Sequence, residues 1–231
     1  MATILDDKLL SLRLANRPEF HLRLAEFLQS YRVADRPALV VQARLDPDTR
    51  GNAVDVDDPE VQARFLAGVQ TDNDWWQGFR SVAAAQATFH GIASLPSAEQ
   101  PTWASEMHRD GHFVAGCWRF PEFSVRGSKV SGVADFYVAM FDDFFQLLVS
   151  TLQAGSEPPK YEVTATLVCA PKLYYAKRSH FGGQYVVFED PLTTENLQWP
   201  VAAARVGTPE WTLLAAQMGK ALTGAYGDTP P

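Results

Sequence analysis

The feature that most constrains the fold of this chain is one long apolar stretch between Val133 and Gly155. Large apolar side chains recur there at helical spacing and cover most of the circumference of a helix predicted to begin at Phe136. Only a narrow strip, which contains Asp142 and Asp143, is polar. A helix that is apolar on nearly all sides has to be covered by the rest of the protein, so the sequence predicts a long central helix inside the core.

The same stretch is about as long as a membrane crossing requires. However, Asp142 and Asp143 lie at its middle, where each carboxylate would cost roughly 2.5–3.5 kcal/mol in hydrocarbon. Adjacent residues on a helix also point about 100° apart, so the two carboxylates cannot easily face one substrate. We therefore predict neither a membrane helix nor a catalytic pair, and interpret the two acids as a solvated stripe or as a contact to a partner's basic side chain.

The composition excludes several classes of protein. The formal net charge of −7 argues against binding of nucleic acid through bulk electrostatics, which needs clustered Lys and Arg. Two cysteines, Cys117 and Cys169, are too few for a disulfide scaffold or a zinc site, so we expect both to be buried in a reducing compartment. The first residues place acids before leucines without a basic leader, so we expect a cytoplasmic protein without a membrane segment.

The order of the patterns predicts a single α+β domain over residues 1–231, with an antiparallel sheet packed against the central helix and amphipathic N- and C-terminal helices. Residues 19–84 form a more helical N-terminal part, and residues 85–227 supply the sheet, the central helix and the C-terminal helix. Further helices are predicted at Glu19–Arg32, at Glu60–Val69 and after Thr208, and strands at Ala38–Leu45, Ala85–Leu95, Lys160–Ala170 and Gln184–Glu189.

The clearest local signal is the dipeptide Asp110-Gly111, which lies between two arms of alternating apolar residues. Asp-Gly is typical of a two-residue type I′ hairpin turn, because both positions need a positive φ. That turn pairs Arg109 with His112 and places His108 on the opposite face of the sheet from His112. Although the two histidines are four residues apart, they are therefore predicted not to share a metal ion, and no metal or cofactor site is expected elsewhere.

Aromatic side chains outside the predicted core mark candidate binding surfaces. The Trp75-Trp76 pair is one, because tryptophan is enriched in interface hot spots, although one ring packed into the core is the alternative. A basic and aromatic segment, residues 172–180, is another: it suits base stacking and phosphate contacts, or simply the solvated edge of a sheet. His90 is interpreted as a lone structural histidine in a strand. The predicted binding residues are Trp75, Trp76, Tyr174, Tyr175, Arg178 and Phe181.

Several segments in order carry a resemblance to a known family. They are FHGIASLP at 89–96, HFVAGCWRF at 112–120, the long aromatic helix, YEVTATLVCAPKLYY at 161–175 and a terminal helix that ends in AYG. Over residues 19–227 this order resembles the C-terminal half of bacterial proteins whose N-terminal half is a Schlafen-AlbA-type DNA-binding domain. The resemblance implies an accessory, sensor-like or assembly domain, and no functional residue can be carried over from it.

The nucleophile, metal and phosphate-loop motifs that would indicate an enzyme are not found in the sequence. The leading hypothesis is therefore a non-enzymatic domain that binds a partner protein or a small molecule, with homo-oligomerisation left open. The alternative is a hydrolase whose site is assembled from separated residues, with Cys117 or Cys169 beside a histidine such as His108. A phosphoester-processing version of that site uses Lys177, Arg178 and His180, and a third hypothesis is oligonucleotide binding by residues 172–180.

Overall fold

The computed structural model of the chain describes residues 18–33, 36–49, 55–69, 79, 84–96, 101–125, 127–134, 137–152, 158–170, 173–178, 185–187 and 195–226. Within these residues the protein has an α+β fold with a mostly antiparallel sheet, which confirms the predicted fold class. The helices are α1 (Pro18–Ser30), α2 (Pro59–Ala67), α3 (Val138–Leu152) and α4 (Pro209–Ala225). The strands are β1 (Ala38–Leu45), β2 (Ala84–Ala87), β3 (Gly91–Leu95), β4 (Trp103–His108), β5 (Phe113–Cys117), β6 (Glu122–Val125), β7 (Ser128–Ala134), β8 (Lys160–Val168), β9 (Tyr174–Arg178), β10 (Tyr185–Val187), β11 (Leu197–Gln198) and β12 (Ala202–Arg205).

The larger sheet contains eight strands, all antiparallel to their neighbours, in the order β11, β8, β1, β5, β4, β3 and β2, with β12 also paired to β8. Pro200 separates β11 from β12, as expected for a residue without an amide hydrogen for the ladder. Strand β1 comes from the N-terminal part but lies between β8 and β5, so both parts of the chain build one sheet. A smaller sheet contains β10, β9, β7 and β6, with β7 and β9 parallel.

The larger sheet carries helices on both faces. Apolar side chains at odd positions of β1 and β8, such as Val41 and Val163, join one core cluster with residues of α2, α3 and α4. Side chains at even positions, such as Val40 in β1 and Val114 in β5, join a smaller cluster with Phe27 and other residues of α1. The alternation along each strand therefore separates a large apolar core from a thinner layer beneath α1.

Three of the predicted helices form close to their expected positions for the expected reasons. Helix α1 buries an apolar stripe of Phe20, Leu24, Phe27 and Leu28 at helical spacing. Helix α2 begins with a proline after Asp58, whose Oδ1 accepts a hydrogen bond from the backbone of Glu60 at 2.8 Å. Helix α4 also begins with a proline, and it buries an apolar stripe of Trp211, Leu214, Ala215, Met218 and Leu222.

The prediction of one long central helix is not confirmed in detail. Helix α3 has 15 residues and begins at Val138, whereas α4 has 17 residues and is the longer of the two. The predicted polar strip is also partly wrong. Of its two aspartates, Asp142 is exposed as predicted, whereas Asp143 is buried. Helix α3 packs against α4 and α2, and its apolar side chains join the large core cluster on one face of the sheet.

Two local predictions are corrected by the structure. The predicted strand Ala85–Leu95 is two strands, β2 and β3, because the backbone turns back at Thr88, whose N–H donates to the carbonyl of Gly91 at 2.9 Å. His90 therefore lies in a turn rather than in a strand. The segment 124–132 forms most of the β6–β7 hairpin around Gly127, whose φ is +84°. None of the helices in the described part of the chain combines the length and hydropathy that a bilayer crossing requires.

Candidate functional site

The β4–β5 hairpin has a different turn from the predicted one, and this difference creates the candidate site. The strands pair Met107 with Phe113, so the loop contains three residues and His108 lies opposite His112. Only Gly111 of the loop has a positive φ, of +78°, which is the pattern of a type I turn closed by a glycine bulge. The extra loop residue shifts the register by one and brings both histidines to the same face, with ring centroids 6.0 Å apart.

This face of the sheet lies under α1 and is unusually polar for a buried surface. Register places Gln42 of β1 opposite Thr164 of β8 on one side and opposite Val114 of β5 on the other, and Val114 lies opposite Glu106. Gln42, Thr164 and Glu106 are all buried. Within the described residues, the Gln42 amide and Nε2 of His112 have no hydrogen-bond partner. Polar groups without a hydrogen-bond partner are costly to bury, so this row of polar side chains across the sheet is a candidate functional region.

Glu106 is the centre of a hydrogen-bonded network between the sheet and α1. Its Oε2 lies 2.8 Å from Nε2 of His108, and its Oε1 accepts a hydrogen bond from the Tyr31 hydroxyl at 2.8 Å. Burial and the Glu106 carboxylate raise the pKa of Tyr31, so the phenol stays a donor at neutral pH. With Nε2 of His108 as the donor and Oε2 of Glu106 as the acceptor, this contact fixes the orientation of the imidazole.

A second network, around Arg23 of α1, holds the turns of two hairpins. Its guanidinium donates to Asp110 Oδ2 at 2.7 Å and to Glu26 Oε2 at 2.9 Å, and it lies 2.9 Å from Nδ1 of His90. A guanidinium has no acceptor, so His90 Nδ1 must accept and the imidazole is neutral. Burial, together with the charge of Arg23, lowers the pKa of His90, in agreement with that tautomer.

These networks border a cavity of about 640 Å³ between α1, the β2–β3 hairpin and β4, which we call the Glu106 cavity. Glu106 and His108 lie along its sheet side, while Glu26 contributes from α1 and Tyr31 from the turn that follows α1. Phe89 lies at its edge with 93% of its surface exposed, so its ring is free to contact a molecule that enters the cavity. The remaining described lining residues are Gln29, Ser30, Arg32, Gln86, Ala87, Thr88, His90, Leu95 and Pro101.

Of the binding residues predicted from the sequence, only Tyr174 and Tyr175 have described side chains, and neither lines this cavity. Trp75, Trp76 and Phe181 lie outside the described residues, and so does the side chain of Arg178. Tyr175 is buried and stacks on Tyr226 with ring centroids 5.2 Å apart, so it belongs to the core instead of a surface. Tyr174 is half-buried in β9 and points to the other face from its neighbour Tyr175.

Of the cysteine–histidine pairs considered for a hydrolase, Cys117 and His108 are not brought together in the described part of the chain. Cys117 and Cys169 are both buried, as predicted. Burial raises the pKa of the Cys117 thiol, which opposes formation of the nucleophilic thiolate. Cys117 faces the larger core while His108 faces α1, so the sheet lies between them. Lys172 and His180 of the proposed phosphoester and oligonucleotide sites lie outside the described residues.

The sequence did contain a signal for the Glu106 and His108 pair. The two residues are two apart in a predicted strand, so their side chains share a face whichever register the hairpin takes. Tyr31 and Arg23 could not be assigned in the same way, because their contacts depend on how α1 crosses the sheet. Among the described residues, no group of three or more His, Cys, Asp or Glu side chains is arranged to hold a metal ion.

Comparisons of the chain with protein-family models, with curated proteins and with solved structures found no match. The resemblance to the C-terminal half of Schlafen-AlbA-type proteins therefore stays a prediction. Evidence for the function comes from the geometry of the described residues alone.

Proposed function

We propose that this chain is a non-enzymatic domain that binds a small molecule carrying N–H groups in the Glu106 cavity. The observation that carries the proposal is a buried carboxylate, Glu106, held by two hydrogen bonds at the side of a cavity of about 640 Å³. A volume of this size is within the range of about 300–1,000 Å³ that is usual for small-molecule sites.

The chemistry of Glu106 favours a ligand that donates hydrogen bonds. An ionised carboxylate has about four lone-pair sites, and Tyr31 and His108 occupy two of them. The remaining sites suit the N–H groups of an amine or an amidine. Tyr31 and His108 hold the carboxylate in one position before the ligand arrives, which lowers the entropic cost of binding. The exposed ring of Phe89 offers an apolar contact for the rest of the ligand, and a cationic ligand would also gain from its π-system.

Native mass spectrometry of protein purified gently from its own host tests this proposal. We expect wild type to retain a small molecule and Glu106→Gln to lose it, because the amide replaces an acceptor by a donor at the same place. Tyr31→Phe keeps the carboxylate and removes one of its supports, so we expect weaker retention. Glu210→Gln, an exposed carboxylate at the start of α4, is the matched control and should behave like wild type.

Equal retention by Glu106→Gln and wild type would contradict the site. Retention of a protein instead of a small molecule would make the chain an assembly module. If nothing is retained, calorimetric titration with a panel of primary amines and amidines decides the question, since saturable binding that depends on Glu106 is expected. The proposal would be overturned if the compounds bound wild type and Glu106→Gln equally, or if they bound neither protein.

The second candidate function is hydrolysis, with Nδ1 of His108 as a general base that would have to become accessible to water, since this atom is buried. It is favoured by one observation, the 2.8 Å contact between Glu106 and His108 beside a cavity, since general bases are commonly oriented by a carboxylate. A panel of carboxylic and phosphoric esters separates the two functions. Product release that is lost in His108→Gln would support hydrolysis, whereas ligand retention without product release supports the binding domain.

A further inference from the structure

A second cavity, of about 390 Å³, opens beside the Glu106 cavity. Pro101 lines both of them. Tyr31 lines the first and Trp118 lines the second, and their rings stack with centroids 5.3 Å apart. A wall of stacked rings and one proline therefore separates the two spaces. We call the second space the arginine cavity, because two arginines border it.

Charge distinguishes the arginine cavity from its neighbour. Arg36 and Arg119 both line it, and both side chains are exposed. Within the described part of the chain, neither guanidinium forms an ion pair or a hydrogen bond, whereas Arg23 and Arg109 each have carboxylate partners. No carboxylate is found among the described lining residues. Two unpaired positive charges thus border one concave surface in a protein whose net charge is −7.

The other walls of the arginine cavity are apolar or hydroxyl-bearing. Trp118 and Phe120 contribute rings, and Ser131 and Thr102 contribute hydroxyl groups. The Trp118 ring is fixed, because its Nε1 donates to the carbonyl of Pro101 at 2.6 Å. A rigid aromatic surface beside two guanidinium groups suits a ligand that combines an anionic group with a planar part.

We propose that the arginine cavity binds a phosphate monoester of a small planar molecule, with Arg36 and Arg119 contacting the phosphate. A phosphate monoester carries a charge of about −1.5 to −2 at neutral pH and offers three acceptor oxygens, so two forks can bind it at once. A carboxylate has one charge and is satisfied by a single guanidinium group, so it gains less from the presence of two arginines. This site is separate from the Glu106 cavity and does not depend on the function proposed for it.

Titration with phenyl phosphate at low salt, followed by ¹H–¹⁵N NMR, tests the proposal. The indole N–H of Trp118 is the reporter and is assigned with Trp118→Phe. We expect a saturable shift of that signal, an affinity reduced about tenfold by either Arg36→Gln or Arg119→Gln, and binding weakened further in the double variant. Both arginines are exposed, so these variants should fold normally.

Two controls separate this site from general surface charge and from the neighbouring cavity. Arg32→Gln removes an exposed arginine that lines the Glu106 cavity and should leave the affinity for phenyl phosphate unchanged. Glu106→Gln should also leave it unchanged, so failure of one site does not imply failure of the other. The proposal is overturned if phenyl phosphate causes no saturable shift, if all three arginine variants bind equally, or if benzoate binds as tightly as phenyl phosphate.

Discussion

At the scale of single residues, Arg23 connects α1 to two separate hairpins. Its guanidinium bonds Asp110 in the β4–β5 turn and lies against His90 in the β2–β3 turn. Arg23→Met keeps the aliphatic stem and removes these contacts. We expect the free energy of unfolding to fall by about 1–2 kcal/mol, since the contacts are charge-assisted but half-exposed. Denaturation in urea, with wild type alongside, measures the change.

Lys220→Met is the control for Arg23→Met, because it removes an exposed positive charge from α4 and should alter stability by less than about 0.5 kcal/mol. Equal effects of the two substitutions would show that the contacts of Arg23 contribute nothing measurable. A fall in stability confined to Arg23→Met is the expected result.

The β4–β5 turn shows, at the scale of single residues, why the hairpin could be only partly predicted from the sequence. The Asp-Gly dipeptide correctly located the β4–β5 turn, but it is compatible with loops of two or three residues. The choice between them depends on Asp110, whose Oδ1 accepts a hydrogen bond from the backbone of His112 at 3.1 Å, and on pairing along the whole strand. A one-residue error in the register was therefore enough to place His108 and His112 on opposite faces of the predicted sheet.

At the scale of elements, the packing of α3 against α4 depends on one glycine. A Cβ at Gly219 of α4 would lie 2.5 Å from Cγ1 of Val138, which is closer than atoms approach in proteins. Gly219→Ala must therefore separate the helices or move Val138, and we expect a loss of about 1–3 kcal/mol in the free energy of unfolding. Thermal and chemical denaturation monitored by circular dichroism measures it.

Gly224 in the same helix is the matched control for Gly219. A Cβ there meets no atom within 4 Å, so Gly224→Ala gains helix propensity without a clash. We expect stability to be unchanged or to rise by up to about 1 kcal/mol. The close packing of α4 on α3 would be contradicted if both alanine variants were equally stable.

Elements with strong local signals were predictable, and those that depend on pairing were not. Strand β1 was predicted at its observed bounds, and α2 at nearly its observed bounds, because a proline and a capping aspartate mark its start. Strands β2 and β3 were predicted as one strand, since Phe89 and His90 continue the alternation through a turn that only backbone pairing reveals. The β6–β7 hairpin was missed for the same reason.

At the scale of the whole molecule, the two faces of the sheet respond differently to acid. The face under α2, α3 and α4 is apolar, whereas the face under α1 buries His108, His112 and Glu106. His112 contacts the ring of Phe20 with centroids 5.2 Å apart and is buried beneath α1. Burial, with the nearby His108, lowers the pKa of His112 to about 3.

This lowered pKa predicts a loss of stability in mild acid. An unfolded histidine takes up a proton near pH 6.5, about 3.5 units above His112 in the folded chain, so acid favours the unfolded state between these values. One proton contributes about 1.4 kcal/mol per pH unit, so we expect the free energy of unfolding to fall by about 2–3 kcal/mol between pH 7.5 and pH 4.5. The lowered pKa of His90 adds to the fall in the same direction.

Urea denaturation at pH 7.5, 6.5, 5.5 and 4.5 measures this dependence in wild type and in His112→Asn. The variant loses packing against Phe20, so its stability at pH 7.5 should be lower. The slope of its unfolding free energy against pH should nevertheless be shallower between pH 6 and pH 4.5, by an amount that corresponds to the uptake of nearly one proton. The difference in slope isolates His112, because a purely structural effect would lower stability equally at every pH. Parallel curves for the two proteins would mean that His112 takes up its proton at the same pH in the folded and unfolded chain, and that α1 does not exclude water from this face of the sheet.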